Sequence, residues 1–193
     1  MIRLSEGVYT WSAFNLEKKF NFNGFLFCGA GRCLVVDPPP MSSDDRAYWQ
    51  TLSLKPELVV ITNRNHLRAR AEWAAPTALH EAEAGEVDFT PDRLLKEGEQ
   101  VGPGLRVVHL PGKSPGEIGL HWKERGILML GDALIAPKGA LALIPEAKMD
   151  DPALLRLSLR KLEPLAFDTL LVGDGDPVLG GAKALVGAFV RGL

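Results

Sequence analysis

Residues 62–68, TNRNHLR, follow the apolar run LVVI and place two asparagines, two arginines and one histidine in a turn at the end of a buried strand. Three other polar loops also follow apolar runs: LPGKSPGEIG with Lys113, GDAL with Asp132, and VGDGDP with Asp174 and Asp176. Asp37 closes a further strand before three prolines. Loops at strand ends are where ligands and catalytic groups usually sit, held by a rigid scaffold. The residue types limit the chemistry. Zinc takes imidazole, thiolate or carboxylate. Asn63 and Asn65 offer only neutral carbonyl oxygens, Arg68 has no lone pair, and a protonated Lys113 has none either. Asp132, Asp174, the asparagines and His66 suit a hard, oxygen-loving ion such as Mg²⁺ or Mn²⁺ better than zinc. Alternatively, Arg68 and Lys113 supply the positive charge themselves. A third arrangement, with Lys113 as a desolvated base, has no supporting neighbour in the sequence.

Each candidate also has a structural role open to it. Asn65 stands just before a helical pattern, where Asn caps well and contributes ~1 kcal/mol. Asn63 has no such role and is the better candidate for touching a ligand. The loop charges can equally be solvated and worth little. His80, His109 and His121 fall at strand ends or within hairpins and read as packed or surface histidines. Stretches such as GEVDFTPDR read as solvated faces. No nucleophile elbow or P-loop is present. Cys28 and Cys33 flank GAGR and can face each other across a hairpin; two reduced cysteines are the simpler expectation in a reducing compartment.

The elements that must position these loops follow from periodicity and punctuation. GVYTWSAF is a strand, and NGFLFCGAGRCLVV a hairpin. SSDDRAYWQTLSL is a helix capped by Ser or Asp, with acids in its first turn. PELVVIT is a short apolar run typical of a strand covered on both faces. HLRARAEWAA is expected to be helical up to Pro76. LRVVHLPG is a strand, and IGLHW-KERG-ILMLGDAL a second hairpin with Ile118, Leu120 and Trp122 on one face. DDPALLRLSLRKL is a helix with Asp151 as cap and Pro152 in its first position. DTLLVGDGD is a last strand, and GGAKALVGAFVRGL a closing helix. The chain has 193 residues, 46% of them hydrophobic, and a net charge of -2, which gives no electrostatic case for nucleic acid or an anionic membrane. No signal peptide and no apolar run of membrane-spanning length is seen, so a cytoplasmic protein is expected. Scarce Asn and Gln with 14 prolines suit a heat-adapted source.

In order and spacing, the four loops together with Asp37 resemble the metallo-β-lactamase superfamily; PGKSPGEIG followed by GDAL is the closest match. The resemblance implies an αβ/βα four-layer sandwich of α+β class, with two mixed β-sheets and helices outside. It also implies one domain over residues 1–193 made of two similar halves. Laid on the family's T-H-x-H-x-D-H motif, Thr62 matches. The histidine positions fall on Asn63, Asn65 and Arg68, and the aspartate on Leu67. His66 occupies a variable slot, with a side chain expected to point away. The histidine of P-G-H-[ST]-P-G is Lys113, the bridging aspartate is kept as Asp132, and the last histidine is Asp174. Of the ligand positions only Asp132 is retained. The resemblance therefore implies a vacated zinc site, no zinc, and a binding or otherwise non-catalytic role for a small molecule in the inter-sheet cleft. The alternative is a hydrolase of esters, thioesters or phosphoesters with a remodelled Mg²⁺ or Mn²⁺ site. The sequence does not define an oligomeric state.

Overall fold

The computed structural model describes residues 1–193. The first sheet has the order β1 (Ile2–Ser5), β2 (Val8–Asn15), β3 (Phe20–Gly29), β4 (Arg32–Val36), β5 (Leu58–Val60), β6 (Thr77–His80), β7 (Arg93–Leu95). It is antiparallel from β1 to β4 and parallel from β4 to β7. The second sheet contains β8 (Gln100–Val101), β9 (Leu105–His109), β10 (Ile118–Trp122), β11 (Ile127–Leu130) and β12 (Thr169–Val172) in the order β12-β11-β10-β9-β8. Only its β11–β12 pair is parallel.

Alternation along the strands explains the layering. Phe25, Phe27, Leu34 and Val36 of the first sheet meet Val107, Ile118, Leu120 and Trp122 of the second in one core between the sheets. Ile118, Leu120 and Trp122 thus share a face as their spacing requires. The intervening residues face outward. Leu26, Val35, Val59 and Leu79 lie under α1 (Ser43–Thr51) and Trp73. Leu128, Leu130 and Leu170 lie under α2 (Pro152–Leu159) and α3 (Ala182–Arg191). Two mixed sheets with helices outside is the expected sandwich. Ser42 caps α1 in a capping box with Asp45, and Asp151 caps α2 ahead of Pro152. No helix is long and apolar enough to cross a membrane.

Two expectations are corrected. HLRARAEWAA forms no α-helix. Two short 3₁₀ turns, Arg64–His66 at its start and Arg70–Glu72 within it, are separated by Arg68 with a left-handed φ of 33°. That conformation stops helix propagation, and it turns the Arg68 guanidinium toward the sheet edge, where it finds Asp174. Cys28 and Cys33 are not reduced: they are directly paired across β3 and β4 and form a disulfide.

Candidate functional site

The strand ends at one edge of the sandwich bring the four loops together. Asp37 follows β4, Thr62 follows β5, Asp132 follows β11 and Asp174 follows β12, while Lys113 comes from the loop between β9 and β10. Asp37 is fully buried, with Oδ1 accepting the Thr62 backbone N–H at 2.8 Å and Oδ2 the Thr62 hydroxyl at 2.6 Å. The same Oδ2 lies 2.7 Å from His66 Nδ1.

His66 is the centre of the site, contrary to the expectation that it points away. Its Nε2 lies 3.2 Å from Asp132 Oδ1 and 3.8 Å from Asp174 Oδ1. Gly173 permits this approach, since a Cβ there would stand 2.6 Å from His66 Cε1. Burial and the Arg68 guanidinium push His66 toward its neutral form. Asp132 and Asp37, one at each ring nitrogen, outweigh both and lift its pKa to about 10. With a carboxylate oxygen at each nitrogen, the ring is placed to donate from both. Burial alone would raise Asp132, but His66 and Lys113 hold its carboxyl well below the usual carboxylate range. Burial raises Asp174 with help from Asp132, against the opposing pull of His66 and Arg68.

Two further cations complete the cluster. Lys113 is almost fully buried. Its Nζ lies 2.9 Å from Asp132 Oδ2, donates to Asn63 Oδ1 at 2.9 Å, and also donates to Asn65 Oδ1. The Nζ is thus surrounded by three oxygen acceptors. Arg68 Nη2 meets Asp174 Oδ1 at 2.6 Å, and the guanidinium stacks on Phe22 at 4.4 Å. Asp37, Asp132 and Asp174 are thus matched by His66, Arg68 and Lys113.

The asparagines exchange their expected roles. Asn63 is buried and caps the 3₁₀ turn, its Oδ1 accepting Asn65 N–H at 2.8 Å, whereas Asn65 lines the cavity. Leu67 is not part of the cavity; it packs on the outer apolar layer of the first sheet. His80, His109 and His121 lie elsewhere, as expected: His80 stacks on His109, and His121 bonds the Ala166 carbonyl. Two buried carboxylates went unrecognised in the sequence. Glu83 accepts the Arg64 and Gly116 N–H groups, each at 2.6 Å, tying the two cation-bearing loops together. Glu117 lies behind Asp132, where burial and that neighbour's charge raise its pKa well above normal; its Oε2 has no partner.

Above this floor lies a cavity of about 490 Å³ whose lining includes Phe20, Phe22, Ile144, Lys18 and Lys148. A sequence profile of the metallo-beta-lactamase superfamily matches residues 3–192. The chain belongs to that superfamily. Within it, the chain is 30% identical over 176 residues to a hydroxyacylglutathione hydrolase of Fuscovulum blasticum, covering 86% of this chain and 66% of that one. It is 24% identical over 181 residues to YqgX of Bacillus subtilis, a probable metallo-hydrolase, covering 80% and 85%. Solved superfamily structures share the fold. A metallo-beta-lactamase from Pontibacter korlensis has a TM-score of 0.77 at 16% identity, covering 98% of this chain and 96% of that one. A family protein from Thermus thermophilus, TTHA1429, has 0.71 at 20%, covering 98% and 80%.

Proposed function

We propose that this superfamily member is not a zinc hydrolase, and that its own side-chain cations occupy the electrostatic role of a metal in a pocket that binds a small molecule. The pairing of Asp132 and Asp174 with Lys113, Arg68 and protonated His66 carries this reading. The superfamily's metal does not fit the donors present. His66 Nε2 and the two aspartates converge within 4.8 Å, but each already faces an opposite charge. A dication would have to displace the His66 proton and then lie beside the Arg68 and Lys113 side chains that already hold these aspartates. Protein purified without chelator and assayed for metal by mass spectrometry is expected to hold far less than one equivalent. It should not hydrolyse a panel of thioesters, esters and phosphoesters. Stoichiometric metal together with turnover would overturn the proposal.

The second reading is a metal-dependent hydrolase with a remodelled oxygen-ligand site. It is favoured by the convergence of His66, Asp132 and Asp174, and by the hydrolase names of its sequence relatives. In that case added Mg²⁺ or Mn²⁺ should raise the melting temperature and switch on activity, and Asp174→Asn should abolish both effects.

A further inference from the structure

We infer that the cavity takes a small organic anion with an apolar body, its charged head held at the mouth between Lys18 and Lys148 and its body lying against Phe20, Phe22 and Ile144. This rests on the reading that the floor is balanced by its own side chains. Lys113 has given all its hydrogens to Asn63, Asn65 and Asp132, and Arg68 is committed to Asp174 and the face of Phe22. Deep inside, an anionic head would therefore have to break an existing ion pair, whereas an apolar body displaces only water from aromatic and aliphatic walls.

The mouth is different. Lys148 is exposed and makes no ion pair, and Lys18 is paired only with its chain neighbour Glu17 at 3.0 Å, where both side chains are well exposed. Such a pair between exposed neighbours holds its lysine weakly. Lys18 and Lys148 both line the cavity, so the β2–β3 turn and the turn at Glu146–Lys148 border the same opening. The two lysines are thus the cations of the cavity left free to meet a ligand's charge. About 490 Å³ suits a body of roughly drug-fragment size.

The test is calorimetric titration of the full chain with octanoate, octan-1-ol and acetate, at low and high salt. Octanoate should bind one to one, at least about tenfold more tightly than either the alcohol or acetate, and more weakly as salt rises. Lys18→Ala with Lys148→Ala should weaken octanoate about tenfold and leave octan-1-ol within twofold. A circular-dichroism melt confirms that the variant is folded; both lysines are exposed, so no loss of structure is expected. Equal binding of acid and alcohol, an unchanged affinity in the double variant, or no octanoate binding would each overturn the inference. The metal content of the same sample reads the earlier proposal separately. A metal-free protein that ignores octanoate defeats this inference alone, while a metal-loaded one defeats the charge-replacement reading whatever octanoate does.

Discussion

Lys113→Met tests the charge cluster most sharply, because it keeps the buried stem and removes only the ammonium. Lys113 Nζ is 2.9 Å from Asp132 Oδ2, and both side chains are less than one-tenth exposed. At that distance and an effective dielectric near 20, the pair attracts by about 6 kcal/mol before desolvation. Burial offsets much of this, yet removing one partner of a buried pair typically costs ~3–5 kcal/mol, because the other charge is left uncompensated. His66 still faces Asp132 at 3.2 Å, so the lower end of that range is expected. For a chain of this size, a loss of ~3 kcal/mol lowers the melting temperature by roughly 6–12 °C. Urea unfolding of Lys113→Met, Asp132→Asn and the double variant completes a cycle. A coupling of ~2 kcal/mol or more is expected, with the double variant less damaged than the two single losses sum to. A melting shift under about 2 °C for Lys113→Met, or strict additivity in the cycle, would refute the argument that these two charges hold each other.

Three further expectations follow from the same geometry. Because the folded pKa of His66 is raised to about 10 from 6.5, its contribution to stability is complete below pH 6.5 and is lost as pH rises toward 10. Urea unfolding of wild type against His66→Gln across that window should show a pH-dependent difference of a few kcal/mol, and a flat difference would contradict the imidazolium. Gly116→Ala places a Cβ 2.6 Å from the Glu83 backbone nitrogen, so it should destabilise by ~1–3 kcal/mol in thermal melts; a neutral result would mean the Glu83 contact is not tight. Cys28→Ser with Cys33→Ser opens a loop with a separation of five residues and should cost about 2 kcal/mol in non-reducing denaturation, with no such loss if the bridge does not form in solution.

Much of the scaffold was legible because its signals are local. Period-two alternation fixed the facing of Ile118, Leu120 and Trp122, and the Ser/Asp run before α1 and Asp151 before α2 marked where those helices begin. The family resemblance, carried by the order and spacing of the loops, implied which loops meet at the sheet edge. What stayed hidden depends on distant partners. HLRARAEWAA has helix-like composition, but Arg68 leaves the helical region in the conformation that meets Phe22 of β3 and Asp174 of the loop after β12. Which asparagine caps and which lines the cavity was set by where Lys113 arrives, about fifty residues later in the chain. His66 looked peripheral in its motif slot; only the 3₁₀ turn, with Gly173 making room, swings it between Asp37 and Asp132. Glu83 and Glu117 carry no local mark of burial, since the groups around them come from other segments.

On the proposed charge replacement, imidazolium, guanidinium and ammonium groups stand where a metal would have to sit. A crystal of the chelator-free protein, soaked in zinc chloride near neutral pH and measured at the zinc absorption edge, tests it directly. No anomalous peak is expected between His66 Nε2, Asp132 and Asp174, with Lys113 and Arg68 still on their aspartates. A fully occupied peak there, with those two side chains swung away, would contradict it.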